Sequence, residues 1–399
     1  MNTIRYLTNH QHEVTLFFPS RSRVDPDVLA HLRQYCVRVE HFYVAPGDQV
    51  ANVVSHPLLP LRTSRRLHRG MQREVDLTVG SGSIDAILVE HQNMAAYLKP
   101  AYLRQAKCVV RFQSLAYKAY FRTAAHTRPG LQKVVNIMQG FASRHFEQGL
   151  LTHPPFHEAW FLLEADLAEA TTVAPETAAK ARVLPIGIAP RQQRDPSHVA
   201  ELAPFKIDDR VILFVGSMSN PTNEDGARWL ATAILPRVRA SVPRARLCIV
   251  GRNADAMLSD LRSDSVVVVA NAPDLTPYLE RADVYAVAER GEQGIHVSGI
   301  HMKLLDGLSA GKVIVASPVG TGGIDVLKEG VHYLAAHNED EFVQRIVDVL
   351  TQPLAYLKIA TAALALFHDH FSADAAGRAV EERLLLLTAD SATARKRGR

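Results

Sequence analysis

At 399 residues the chain is longer than one hydrophobic core usually serves, and its 47% hydrophobic and 22% charged content is that of an ordinary globular protein, so two domains are expected. No stretch approaches the roughly 18 consecutive apolar residues of a membrane span, and the opening MNTIRYLTNHQHE lacks the apolar core of a secretory signal. The net charge of +4 is uneven: the first 190 residues carry 21 Lys/Arg against 15 Asp/Glu, the remainder 24 against 26.

A helix is expected over residues 3–11, strands over 13–18 (EVTLFF) and near 37–44, and one basic helix over 57–74 that gathers Arg62, Arg65, Arg66, His68, Arg69 and Arg73. Such a cluster is either a solvated face or an electrostatic seat for anionic lipid or an anionic acceptor. Without interleaved aromatics or a binding motif it does not read as a nucleic-acid surface. DAILVE (85–90) is a short strand of the buried parallel kind and ends in Glu90, His91, Gln92 and Asn93. The strand beginning at Val109 ends in Arg111, Phe112, Gln113 and Ser114. Helices are expected over 115–125 and 131–151, strands over 168–174 and 182–184, and the aperiodic, Pro-rich 187–204 reads as a linker. Cys36, Cys108 and Cys248 lie far apart in apolar stretches, as buried thiols of a reducing compartment do; they suit neither a disulfide framework nor a metal site.

A second α/β series follows. A strand over 211–215 leads into the turn-rich GSMSNP, then Asn223 as N-cap of a helix running towards Ala240, with Glu224 and Asp225 in its first turn. Strands over 247–250 and 266–270 stop at Gly251-Arg252-Asn253 and Asn271-Ala272-Pro273, and a short helix runs through Leu279. The stretch 283–323 organises the rest: a strand over 283–288, a Gly-punctuated loop, a helix over about 300–310 closed by Gly311 in the left-handed position, a strand over 313–316 and a second Gly-rich loop over 320–323. Strands separated by helices argue for parallel sheets in both halves. Ligands of such sheets sit at the carboxyl ends of the strands, where loop glycines and a helix N-terminus favour an anion. Lys303 in the first turn opposes the helix dipole, and a bound phosphate accounts for it. Asp306 follows three residues later on the same face. A cation for a diphosphate and a carboxylate for ribose hydroxyls suit a nucleotide; the bland alternative is a solvated face, because Gly loops alone are weak signals.

Four ordered motifs carry a resemblance. VILFVGSMSNPTNEDGARWL, LCIVGRN, APDLTPYLERADVYAV and GIHMKLLDGLSAGKVIVASPVGTGGI resemble the donor domain of GT-B glycosyltransferases, the retaining family 4 (glycosyl transferases group 1) above all. HEVTLFFP, DAILVEHQNMA and VLPIGI look like parts of the same family's N-terminal domain, and LALFHDHFSADAAGRAVEERLLLL like its terminal helices. The resemblance implies an α/β fold of two Rossmann-like domains with parallel sheets facing a central cleft. The implied layout is an acceptor-side domain at 1–188, a linker at 189–205, a donor domain at 206–355, terminal helices crossing back at 356–388 and a disordered basic tail at 389–399. It implies Arg252, Lys303 and Asp306 as catalytic residues, the cations for diphosphate and Asp306 where the family usually has a ribose-binding Glu. Gly216, Ser217, Asn271, Ser298, Gly299, His301, Gly320 and Thr321 would line the donor, and Glu90, His91, Arg111 and Gln113 the acceptor. Fixed cations and N–H dipoles stabilise a departing diphosphate without reorganisation, so neither cofactor nor metal is expected, and a carboxylate pair of the glycosidase type is not called for.

The partners so implied are a nucleotide diphosphate sugar, a glycan or lipid-linked acceptor of cell-surface polysaccharide or glycoconjugate synthesis, and an anionic membrane surface met by the Arg62–Arg73 helix from the cytoplasmic side; nucleic acid is not among them. Three departures from the family stand out. Ser298 occupies the place of the first acid, eight residues before Asp306, with Glu289 or Glu292 as substitutes from the preceding loop. Asp306 is one methylene shorter than Glu. The family's opening strand and Gly-Gly loop precede the helix that here begins near Thr3, so a sheet edge or gap is expected beside the first strands. These departures also fit a non-catalytic nucleotide-sugar-binding or assembly partner. A dinucleotide-dependent oxidoreductase is disfavoured, since no GxGxxG opens a helix after a strand.

Overall fold

Unbroken apolar runs become strands covered on both faces, as parallel sheets flanked by helices require. A computed structural model of the chain describes residues 1–184, 186–190, 205–290 and 301–397, excepting the side chains of His126 and residues 390–397. The chain divides into two α/β units, Met1–Gly187 with Ala376–Arg399, and Ile188–Ala375.

In the first unit β1 (Thr15–Ser20) pairs in parallel with β2 (Arg38–Tyr43), and β3 (Ala86–Glu90), β4 (Lys107–Phe112), β5 (Glu158–Phe161) and β6 (Ala181–Val183) form a separate parallel sheet in that order. Every residue of β5 is buried, whereas every residue of β1 is only half-buried. Phe112 stacks on Phe161 at 4.9 Å, inside a core that Phe156 and Leu151 complete. The opposite face takes the terminal helix Ala373–Arg397: Val380 packs on Val109, Trp160 and Leu184, Arg383 pairs with Glu158, and Glu381 meets His12 at 2.8 Å. This helix includes, as far as Arg397, residues expected to form a tail.

Two other expectations in this unit fail for identifiable reasons. Residues 168–174 lie not in a strand but in the helix Glu164–Val173, whose first turn holds Glu164 and Asp166 against the positive end of the dipole. The strand is instead Glu158–Phe161, four residues long, its one acid neutralised by Arg383 far along the chain. The basic helix is two, Leu61–Ser64 and Arg69–Gly80. His68 ends the break by accepting from Met71 N, while the Tyr97 hydroxyl accepts from His68 N and donates to Arg66 O.

The long helix Leu131–Thr152 buries Glu147, whose Oε1 accepts from Gln92 Nε2 (2.8 Å) and Ala116 N (3.0 Å) and whose Oε2 has no partner among the described residues. Burial outweighs these bonds and pushes the carboxyl up to about 7 from 4.5. The folded state therefore holds this proton more tightly than the unfolded chain. The stability it lends is full below pH 4.5 and is lost as pH rises to about 7. Glu147→Gln is expected to stabilise the protein by about 1–3 kcal/mol near pH 8 and to change little near pH 4; urea unfolding at both values checks this.

In the second unit one parallel sheet runs in the order β12 (Leu334–Ala335), β11 (Ile314–Ala316), β10 (Val284–Val287), β7 (Arg210–Val215), β8 (Ala245–Gly251), β9 (Val266–Ala270). Phe214, Ile249 and Phe342 fill its core, with Trp229 edge-on to Phe342 at 5.0 Å and its Nε1 donating to Glu339. The helix after β7 widens into a π turn over Leu230–Ile234 just ahead of Pro236, which has no N–H to give an α-helical bond. Its N-cap is Asn220, not Asn223: Pro221 occupies the first turn and Asn220 accepts from Thr222 N. Gly311 closes the helix Met302–Ser309 at φ +58°, its N–H donating to Leu308 O and that of Lys312 to Gly307 O, a Schellman motif. The expected linker falls largely on residues 191–204, outside those described.

Candidate functional site

Close backbone approaches build the carboxyl edge of the second sheet. Gly216 follows β7, and a Cβ on Gly251 at the end of β8 would lie 1.6 Å from Gly216 O; one on Gly226 would lie 2.0 Å from Ala288 O, and one on Gly320 2.7 Å from Val287 O. Only glycine fits such positions. The contact sets the two loops side by side, with Met218 N donating to Arg252 O.

Into this edge projects Lys303 from the first turn of Met302–Ser309. Its Nζ lies 2.5 Å from Glu289 Oε1 and donates to Asn223 Oδ1 at 2.8 Å, over the Phe214 ring. Side-chain exposures of 10% for Lys303 and 8% for Glu289 make this a buried ion pair. His301 Nδ1 stands 3.4 Å from the same Glu289 oxygen and 3.2 Å from Gly320 O. Both neighbours are acceptors, so Nδ1 carries the proton. Asn223 Nδ2 donates to Ser217 O, and Ser317 Oγ fixes Glu289 by accepting from its N–H and donating to its carbonyl. Lys303, His301, Gly216, Ser217 and Gly320 are thus brought together, with one of the three lysine N–H bonds unused among the described residues.

The remaining donor-side residues are more loosely placed. The Arg252 side chain is exposed, and among the described residues no carboxylate pairs with it. Asn271, in the left-handed region at φ +53°, accepts from Asn253 N at 3.4 Å. The Thr321 hydroxyl turns to Pro318 O. Asp306 is half-buried one turn beyond Lys303 on the same helix. Ser298, Gly299 and Glu292 lie outside the described residues.

Two members of the cluster had other roles in the sequence: Asn223 as a cap, and Glu289 only as a substitute acid. A carboxylate directly after an apolar strand and before a Gly loop is the one signal that pointed to Glu289. The cluster is nearly neutral, because Glu289 balances Lys303. It can position N–H donors for an oxyanion, and it gives up positive charge only if Glu289 shifts or is protonated.

At the carboxyl edge of the first unit, Arg111 Nη1 donates to Glu90 Oε1 at 2.9 Å and Gln113 Nε2 approaches Glu90 Oε2 at 3.5 Å. Arg111 is 2% exposed and lies over Trp160; its Nε and Nη2, the edge that grips a carboxylate or phosphate side-on, are buried without a partner among the described residues. Burial pulls its pKa down and Glu90 pulls it up. His91 adopts φ +88° and accepts from Asn93 N through Nδ1. Among the described residues no three His, Cys, Asp or Glu side chains gather as a metal site.

Residues 209–352 match the family described as Glycosyl transferases group 1. An uncharacterized 44.6 kDa protein in the cps region of Klebsiella pneumoniae is 22% identical over 185 residues, 44% of this chain and 47% of that protein, so the match spans about half of the relative. The sucrose-phosphate synthase of Thermosynechococcus elongatus superposes with a TM-score of 0.69 at 15% identity, over 97% of this chain and 92% of its own. Anabaena HepE, solved in complex with UDP and glucose, superposes with a TM-score of 0.62 at 12% identity, over 96% and 94%.

Proposed function

We propose that this chain, which has a GT-B fold and whose residues 209–352 match glycosyl transferases group 1, transfers a sugar from a nucleotide diphosphate sugar, with retention, to a glycan or lipid-linked acceptor. The observation that carries this reading is Lys303 held by Asn223 and Glu289 among the glycine loops of the matched segment. Lys303 and the N–H groups beside Gly216, Ser217 and Gly320 would meet the leaving diphosphate, with exposed Arg252 closing over it. Asp306 would hold ribose hydroxyls, and Asn271 would border the base. Fixed donors of this kind act where charge develops, and the reading requires no metal. Glu90, Arg111 and Gln113 are the acceptor-side group, with buried Arg111 holding the more exposed Glu90 carboxylate in place. The UDP and glucose bound to HepE and the cps-region relative support a UDP-sugar donor and a role in cell-surface polysaccharide synthesis; we assign that role to the cytoplasmic face of the membrane.

A panel of UDP- and GDP-sugars assayed for hydrolysis and transfer tests this reading. Turnover is expected with at least one UDP-sugar, and its absence across the panel would count against an enzyme. One observation favours a second reading, a donor-binding protein without catalysis: Glu289 already neutralises the lysine that the chemistry needs. Calorimetry that shows donor binding without turnover would establish it.

A further inference from the structure

The basic stretch that the sequence set apart does not spread evenly over the surface. Arg62 and Arg66 lie four residues apart on one short turn, which is fixed at several points. Leu61 N donates to Gln139 Oε1 (2.8 Å), and Thr63 Oγ1 donates to Asn93 Oδ1 (3.0 Å) in a buried contact. Arg66 O accepts from the Tyr97 hydroxyl, and Arg66 Nη1 donates to Arg62 O at 2.7 Å. Arg62 stacks over the Tyr120 ring at 5.5 Å. The Thr63–Asn93 bond ties this turn to the segment that begins at His91, directly beyond β3. Arg21, the first residue beyond β1, is within electrostatic reach of Arg66. Residues from two strand ends and one anchored turn therefore converge.

We propose that Arg21, Arg62, Arg66 and the His91 ring form a subsite for a phosphate ester at the carboxyl edge of the first unit. Among the described residues no carboxylate pairs with any of the three arginines. Guanidinium groups brought together without a counter-charge repel one another, so a site that fixes them is built for an anion. His91 supplies a neutral donor: Asn93 N occupies Nδ1, which leaves the ring proton on Nε2. Burial, followed by the charges of Arg66 and Arg62, holds His91 down at about 4, so the ring stays neutral under physiological conditions. Its left-handed backbone, costly for a residue other than glycine, is the kind of strain kept where a side chain must be aimed. Arg66 is partly desolvated, which strengthens its bond to an incoming oxyanion.

The subsite stands without the donor-site reading. Only the further step, that the phosphate belongs to the acceptor, rests on it. Phosphate can arrive in a soluble phosphorylated compound or in a bilayer headgroup, and the test separates the two.

Inorganic pyrophosphate titrated calorimetrically into the full chain is expected to bind, with affinity lowered about tenfold or more by Arg62→Ala/Arg66→Ala and about threefold by Arg21→Ala. Arg21 is exposed and has no described partner, so its variant reports even if the double variant misfolds. Lack of binding by the wild type, or an affinity unchanged in both variants, overturns the proposal. Pelleting with phosphatidylglycerol vesicles but not phosphatidylcholine vesicles, lost in the double variant, assigns the phosphate to a headgroup. Pyrophosphate binding that these variants weaken, without pelleting, assigns it to a soluble ester. A protein that binds pyrophosphate here yet turns over no nucleotide sugar refutes the proposed activity and leaves the subsite standing.

Discussion

Lys303→Ala is expected to lower sugar transfer by about a hundredfold or more and, separately, to cost about 3–5 kcal/mol of stability. The first effect is the loss of an N–H donor aimed at the departing diphosphate. The second has a different origin: removing the lysine leaves Glu289, 7% exposed, as an uncompensated buried charge beside His301. Were Lys303 on a solvated face, the bland alternative for this helix, its replacement would leave the fold intact. The pair changes that expectation and supplies a control. Lys303→Ala/Glu289→Ala removes both charges and should regain most of the stability without regaining turnover. Urea unfolding and initial transfer rates on the same preparations separate the two effects. If Lys303→Ala matches the wild type in unfolding, the pair contributes no net stability; if it matches in turnover, the lysine has no part in the chemistry.

Whether an element could be read in advance depended on how local its cause is. β7 and β8 each hold a run of consecutive apolar residues, and a parallel strand buried on both faces leaves that mark wherever it occurs. The Gly311 cap was legible because its left-handed backbone is a property of one residue type. β5 was not: four residues beginning with Glu158 make a strand only because Trp160 and Arg383, the latter 225 residues away, bond that carboxylate. Asn220 and Asn223 both suit an N-cap, and Pro221 decides between them, freeing Asn223 to hold Lys303. Glu289 is the clearest limit. Nothing in its neighbourhood announces burial, since the lysine that makes burial tolerable lies on the next element.

Gly251→Ala is expected to destabilise the second unit by about 4 kcal/mol or more, with loss of soluble protein at moderate temperature. The added Cβ would lie 1.6 Å from Gly216 O and 3.3 Å from Met218 Cε. The obstacle is backbone, so no rotamer change relieves it, and the carboxyl ends of β7 and β8 must separate. Gly330 gives the contrast: it has φ +72° but open space around its Cα, so Gly330→Ala carries only conformational strain, about 1–2 kcal/mol. Thermal unfolding of the two variants checks the difference. The Gly216–Gly251 contact also holds Ser217 and Arg252 on adjoining loops through Met218 N and Arg252 O. Any Gly251→Ala protein that survives should therefore bind a nucleotide sugar more weakly even though no proposed ligand contact has been removed. Gly251→Ala that folds within about 1 kcal/mol of the wild type and keeps its donor affinity would mean that the close approach of these strand ends is not what shapes the site.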